Sequence, residues 1–322
     1  MGNQPLVSVI VPVYGVEKYI EECARSLFEQ TLDDVEYIFV DDCSPDRSID
    51  ILKGVVAAFP QRNVKIVRND RNKGLPQSRR EGLRHATGRY LFFCDSDDFI
   101  EPDTLASTYE RAVADNLDIV YFNMWIYDDA TGRNVDATRY PQLSAPSEMM
   151  RLVLRFMDNG TGGSLCNKII RRSLFDMIDV EFPVDGMYED RVVTTQLLAC
   201  AGKIGYVDRP LYYYRQREAS IIHSAGEDVK KMKQLRSGAK RNMDILISRL
   251  KDNGLYRQFA VDAVYSKLRV KYMYYESIVS SREERREWLA IYPELTREIL
   301  IDSDMPIRFK FSYLRRWIRC HF

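Results

Sequence analysis

Disulfide frameworks, membrane spans and secretion signals leave recognisable marks, and this chain carries none of them. Its six cysteines, Cys23, Cys43, Cys94, Cys166, Cys200 and Cys320, are scattered without C-x-x-C spacing. Several lie in apolar runs, where cysteine behaves as a small hydrophobe, as in a reducing compartment. No stretch of about 18 apolar residues occurs, so no membrane span is expected. The N-terminus, MGNQPLVSVIVPVY, has neither a basic n-region nor a small-residue cleavage site. The expected location is therefore cytoplasmic. No G-x-G-x-x-G follows the first apolar segment, which ends in Pro12, Val13, Tyr14 and Gly15, and no G-x-x-x-x-G-K-[ST] occurs. Both absences argue against dinucleotide-binding and P-loop readings. Internal repeats and low-complexity tracts are missing too.

Net charge is also absent, with 47 basic against 47 acidic residues in 322, yet the balance is uneven. Residues 225–322 hold 21 basic and 13 acidic side chains, a net of +8, and the remainder carries −8. The two parts face different partners. No nucleic-acid partner is expected of either.

What is present is an alternation of apolar strands and amphipathic helices. Val7–Val13, Tyr37–Val40, Val64–Arg68 and Tyr90–Cys94 read as strands, and 16–30, Ser48–Phe59 and Leu75–Ala86 as the helices between them. Ser44 or Asp46 is the expected cap of the second helix. Strands separated by such helices imply βαβ units and a parallel sheet, hence an α/β fold. Asp118–Tyr127 adds a strand, and 128–146 is polar and turn-rich. Glu189 and Asp190 open a helix running to Ala201, two short strands follow at Ile204–Val207 and Leu211–Tyr214, and the pattern is helical from Val229.

Ligands of such sheets bind beyond the carboxyl ends of the strands. Pro12 and Tyr14 follow strand one, Asp41 and Asp42 strand two, Asp70 and Asn72 strand three, and Asp95, Asp97 and Asp98 strand four. Two carboxylates about 5 Å apart repel by roughly 3 kcal/mol at an effective dielectric near 20, so the acidic group at residues 95–98 calls for a cation. Mg²⁺ or Mn²⁺, held by one or two carboxylates and a ligand's phosphates, would serve.

Several ordered motifs carry a resemblance: "VSVIVPVYGVEKYIEECARSLFEQT", "VDDCSPDRS", "NKGLPQSRREGLRHATGRYLFFCDSDD" and "YEDRVVTTQLLA", supported by "NKIIRRSLF" and "LYYYRQREASI". Over roughly residues 6–222 the chain resembles the inverting family 2 glycosyltransferases of GT-A fold, of the kind used in bacterial polysaccharide synthesis. The resemblance implies a GT-A domain over 1–224, with a nucleotide-binding half at about 1–100 and an acceptor half at about 101–224. Residues 225–322 would be a helical, basic extension.

The resemblance also implies roles for particular residues. Pro12, Val13 and Tyr14 would lie along the nucleoside, Asp42 would meet the uracil edge, Asp95 the ribose and diphosphate, and Arg79 the diphosphate side. Asp97 would ligate Mn²⁺ or Mg²⁺. Asp190 would be the general base for an acceptor hydroxyl, with Glu189 the second choice. The partners implied are a nucleotide-sugar donor, UDP-linked by expectation, and a glycan or lipid-linked acceptor. A non-catalytic nucleotide-sugar-binding module and a sugar nucleotidyltransferase are the alternatives. The latter should carry a Gly-rich basic loop after strand one, which this chain lacks.

The chain departs from the family pattern at Cys43, where Gly is usual, at Gly15, where Asn is common, and at Arg80, also in place of Asn. Because Cys takes a positive φ only at a cost, the turn after Asp42 is expected to differ in shape. Glu189 and Asp190 have a plainer reading as first-turn acids of a helix. Lys168, Arg171 and Arg172 read as a solvated helix face, although the resemblance places this stretch near the acceptor side; Tyr212, Tyr213 and Tyr214 read as an amphipathic strand rather than a sugar platform, and His223, which could reach the diphosphate, as ordinary surface. Residues 306–322 are basic and free of acids. As a helix they would place Phe311, Leu314, Ile318 and Phe322 on one face beside Arg308, Arg315 and Arg319, a pattern suited to peripheral contact with the inner face of an anionic membrane.

Overall fold

In the computed structural model, residues 4–155, 162–184, 186–217, 229–275, 281–301 and 305–321 are described. Val7–Val13 (β1) is apolar at six of seven positions and buried on both faces, as a central strand should be. Around it stand Ile20–Phe28 (α1), Val35–Asp41 (β2), Ser48–Ala58 (α2), Asn63–Arg68 (β3), Leu75–His85 (α3) and Tyr90–Phe93 (β4). β2 pairs parallel with β1 and β3, and β4 pairs parallel with the opposite side of β1. The cap position of α2 is Arg47, without a side-chain cap bond, rather than Ser44 or Asp46; Asp46, one residue earlier, accepts the Ser48 backbone N–H at 3.1 Å.

The second half adds Phe99–Ile100 (β5), Thr104–Ala114 (α4), Ile119–Asp128 (β6), Arg133–Ala137 (β7), Pro146–Arg155 (α5), Lys168–Arg171 (β8), Ser173–Met177 (α6), Glu189–Cys200 (α7) and Ile204–Gln216 (β9). Among the described residues these join one sheet of order β3-β2-β1-β4-β8-β6-β9-β5, with β7 on β6. β8 runs antiparallel to β4 and β6, while β6 and β9 are parallel. Six strands thus share one direction.

Three further expectations are corrected here. Part of the polar stretch 128–146 forms β7. The two short strands are one strand, β9, whose register against β6 shifts on either side of Asn123. Lys168 and Arg171 lie in β8 rather than on a helix. Lys168 is 1% exposed, its Nζ donating to the carbonyls of Gly162 and Ser164 at 2.8 and 2.7 Å, and Arg171 pairs with Asp118 at 2.9 Å.

Two cores flank the sheet. One packs Val7, Val9, Val11 and Val13 against α1, α2 and α4; each valine so buried contributes about 1.5–3 kcal/mol. The other packs Ile10, Leu91 and Phe93 against α5, α6 and α7. The same core continues into the C-terminal helices Val229–Asp252 (α8), Ala260–Tyr275 (α9), Arg282–Ala290 (α10), Leu295–Ile301 (α11) and Ile307–His321 (α12). His223 lies outside the described residues. All six cysteines are free and four are buried. No helix of the described residues is long and apolar enough to cross a membrane.

Candidate active site

Strand order reverses between β1 and β4, because β2 and β3 extend to one side of β1 and β4 returns on the other. A ligand crevice is expected at that point. Residues at the carboxyl ends of β1 and β4 therefore border it: Pro12 and Val13 are buried within β1, and Tyr14, half exposed, follows it. Gly15, with φ 67° and open space around it, turns the chain and donates to the Ser44 hydroxyl at 2.9 Å. The left-handed conformation makes glycine the low-strain choice there.

In the turn after β2, Cys43 has a positive φ of 58° despite its side chain. The Asp41 carboxylate, accepting the Ser44 N–H at 2.9 Å, helps hold this turn against a strain cost of about 1–3 kcal/mol. Asp42 is 3% exposed. Its Oδ1 accepts from the Asn69 side chain at 2.7 Å and the Lys73 N–H at 2.8 Å, and its Oδ2 accepts from the Gly74 N–H at 2.8 Å. It shapes the turn from β3 into α3.

α3 lies close against β1, since a Cβ at Gly82 would stand 2.4 Å from the Ile10 side chain. One turn earlier on this helix sits Arg79, whose side chain is 2% exposed. One arm donates to Asp95 at 2.7 Å and the other pairs with Asp190. Donor-side and base candidates are thus held on one guanidinium. Burial alone would depress Arg79, but Asp190, Asp95 and Glu189 outweigh it and raise its pKa.

Asp190 stands in the first turn of α7, its Oδ2 accepting the Leu165 N–H at 3.1 Å. The residue before the helix, Tyr188, is left-handed at φ 70°, a strain characteristic of functional turns. Glu189 is pushed up to about 7, first by burial and then by the Asp190 charge, against the lowering effect of Arg79. Gly186 packs backbone to backbone on Gly238 of α8, where a Cβ at either position would fall within 2.6–2.7 Å of the other's Cα. The C-terminal helices therefore brace the turn that carries Asp190.

The loop after β4 is held by the end of β9. The Tyr212 hydroxyl accepts the Asp95 N–H at 3.1 Å and donates to Asp98 at 2.6 Å. The Arg215 N–H donates to Asp98 at 2.8 Å, and its Nε donates to the Asp97 carbonyl at 2.7 Å. Arg215 also pairs with Glu22 and Asp129 and lies over the rings of Tyr19, Phe99 and Tyr127. Burial, then the charges of Asp97 and Asp95, raise Asp98 well above the carboxylate range. Asp97 is raised by burial and Asp95, a cost reduced by Arg217, whose guanidinium meets its Oδ2 at 2.8 Å.

Among the described residues, no three His, Cys, Asp or Glu side chains converge to hold a metal. The donor set instead offers carboxylates at Asp95 and Asp97, which suits a hard cation sharing its remaining positions with phosphates. Tyr212, Arg215 and Arg217 were missed from sequence as site residues. Their signal was alternation: Arg215 and Arg217 lie two apart on an extended segment and so share a face.

A mostly parallel sheet with acid-tipped strands at its switch point, one half flanked by helices on both faces, is the GT-A architecture. The chain belongs to the family described as Glycosyl transferase family 2, whose model matches residues 8–178. It is 33% identical over 221 residues to EpsH of Bacillus subtilis, named as a glycosyltransferase, covering 68% of this chain and 63% of that one. The chain thus spans under two thirds of EpsH. Among solved structures, Staphylococcus aureus TarS with UDP-GlcNAc matches at TM-score 0.60 and 22% identity, over 96% of this chain and 91% of that one. The Pyrobaculum calidifontis mannosyltransferase PcManGT with GDP-Man and Mn²⁺ matches at 0.53 and 15%, over 99% and 86%. These likenesses bear on the fold.

Proposed function

We propose that the protein transfers a sugar, hexosyl or N-acetylhexosaminyl, from a UDP-linked donor to a hydroxyl of a glycan or lipid-linked acceptor, inverting the anomeric centre. Cell-surface polysaccharide synthesis is the fitting context. The observation that carries this reading is the Arg79 bridge, which ties Asp95, just past β4, to Asp190 at the start of α7. The UDP-GlcNAc bound to TarS supports the donor class. Pro12, Val13 and Tyr14 would border the nucleoside, Asp42 would meet uracil through the capacity left on Oδ2, and Asp95 and Arg79 would face ribose and diphosphate.

Asp190 takes the proton of the acceptor hydroxyl as the new bond to the anomeric carbon forms and the nucleotide diphosphate departs. Positioned base catalysis of this kind contributes about 10²–10⁴-fold. Asp97, with Asp95 beside it, would hold Mn²⁺ or Mg²⁺. A bound divalent cation supplies charge compensation for a departing diphosphate. Domain limits at 1–224 and 225–322 belong to the same proposal.

Asp190→Asn tests it. The variant should bind UDP as the parent does and lose at least 10²-fold in transfer; full turnover would remove the base assignment, and a non-catalytic module would show no transfer in either protein.

The same reading places the protein in the cytoplasm, at the inner membrane face. On α12, Ile307, Phe311 and Ile318 are 71%, 66% and 52% exposed. Arg308, Arg315, Arg316 and Arg319 join Phe311 and Tyr275 around a groove of about 530 Å³. Each surface cation near anionic lipid contributes about 1 kcal/mol. Removing residues 306–322 should lower recovery with phosphatidylserine vesicles; equal recovery would refute the contact.

A further inference from the structure

The carboxylate assigned to the metal already holds a cation of the protein's own. Asp97 Oδ2 meets Arg217 at 2.8 Å, with side chains 20% and 24% exposed. Neither group is sealed from solvent, so the pair can open without unfolding its surroundings. The rest of the loop does not share that freedom. The Asp97 carbonyl is fixed by Arg215 Nε, and Asp98 is fixed by Tyr212 and the Arg215 N–H. The backbone of Asp97 is therefore held while its carboxylate pairs with the partly exposed guanidinium of Arg217. Arg217 itself rests over the Tyr19 ring at 5.3 Å, which gives the side chain a second seat.

We propose that Arg217 is an exchangeable counter-ion of Asp97, so that a divalent cation and the guanidinium compete for the same carboxylate oxygen. This rests on the metal reading of Asp97. The reason is electrostatic: Asp95, Asp97 and Asp98 crowd within four residues, and a mostly buried carboxylate left unpaired there is costly. A resident guanidinium removes that cost in the metal-free protein. The arriving ion must then displace a charge-assisted pair, so the pair lowers metal affinity by its own strength. Such a partly exposed pair corresponds to about a tenfold effect on the dissociation constant, or 1.4 kcal/mol.

The test is titration of the full-length protein with MnCl₂ in the absence of donor, reading free Mn²⁺ by electron paramagnetic resonance. Arg217→Gln should bind Mn²⁺ about tenfold more tightly than the parent. Arg217→Lys, which keeps the charge, should stay within about threefold of the parent. The gain should vanish in the double variant with Asp97→Asn. Equal or weaker binding by Arg217→Gln, or a gain that survives Asp97→Asn, overturns the exchange. Mn²⁺ binding by none of these proteins, with UDP still bound, removes the metal role of Asp97 and the exchange with it, leaving the Asp190 base assignment to its own test.

Discussion

Replacing Glu189 by Gln should stabilise the protein above neutral pH and leave it nearly unchanged in acid. Burial and the Asp190 charge raise this carboxyl from an ordinary value of 4.5 to about 7. The folded chain thus binds the proton more tightly than the unfolded chain does. Its contribution to stability is full below about pH 4.5 and is lost as pH rises through 7. A shift of 2.5 units at 1.36 kcal/mol each sets a ceiling of about 3 kcal/mol. Glu189 is only partly buried, and solvent screening brings the expected effect to about 1–2 kcal/mol. Glutamine mimics the protonated acid, so wild type and variant should coincide near pH 4, below the ordinary carboxyl value. At pH 8.5 the variant should melt roughly 2–5 °C higher by scanning calorimetry. The same difference at both pH values would show that Glu189 does not change protonation in this range.

Gly238→Ala should destabilise, although alanine in a helix interior is ordinarily favoured over glycine by about 1 kcal/mol. Its Cβ would stand 2.7 Å from the Gly186 Cα, an overpacking that costs about 1–3 kcal/mol and shifts the turn before Asp190. Urea midpoints and turnover numbers check both effects, and a raised midpoint with unchanged turnover would show that the contact carries neither. Arg215→Met should cost about 1–3 kcal/mol, less than the roughly 3–5 kcal/mol of a fully buried pair, because Glu22 and Asp129 are 53% and 30% exposed and can turn to water. It should also weaken UDP binding with Mn²⁺ by calorimetry through loss of the Asp97 carbonyl contact; unaltered binding would confine Arg215 to stability.

The first hundred residues were legible because their signals are local. Val7–Val13 is apolar nearly throughout, so it is a central strand, and acids directly following strands must lie at their carboxyl ends whatever the rest of the chain does. Asp95 and Asp97 were located just past β4 in that way. The second half hides its order in contacts between distant residues. Asp208, Arg209 and Pro210 look like a strand break, yet β6 tolerates them by shifting register beside Asn123. Lys168 looks like surface, since no pattern of residue types reveals that two backbone carbonyls converge on its ammonium.

The same blindness covers the loop after β4. A run of three aspartates can be read as a demand for positive charge, but not as a demand already met in three different ways. Asp95 is satisfied by an arginine on α3, Asp97 by Arg217, and Asp98 by a tyrosine hydroxyl and a backbone N–H of β9. Those solutions leave the three carboxylates chemically unequal. Asp98, buried and raised well above the usual range, is a structural acid; Asp97 has a partner that can leave; Asp95 is locked through Arg79 to Asp190. Identical side chains in one motif thus acquire separate tasks from the partners that the fold brings to each, and a substitution at any one of the three should be read by its partner rather than by the motif.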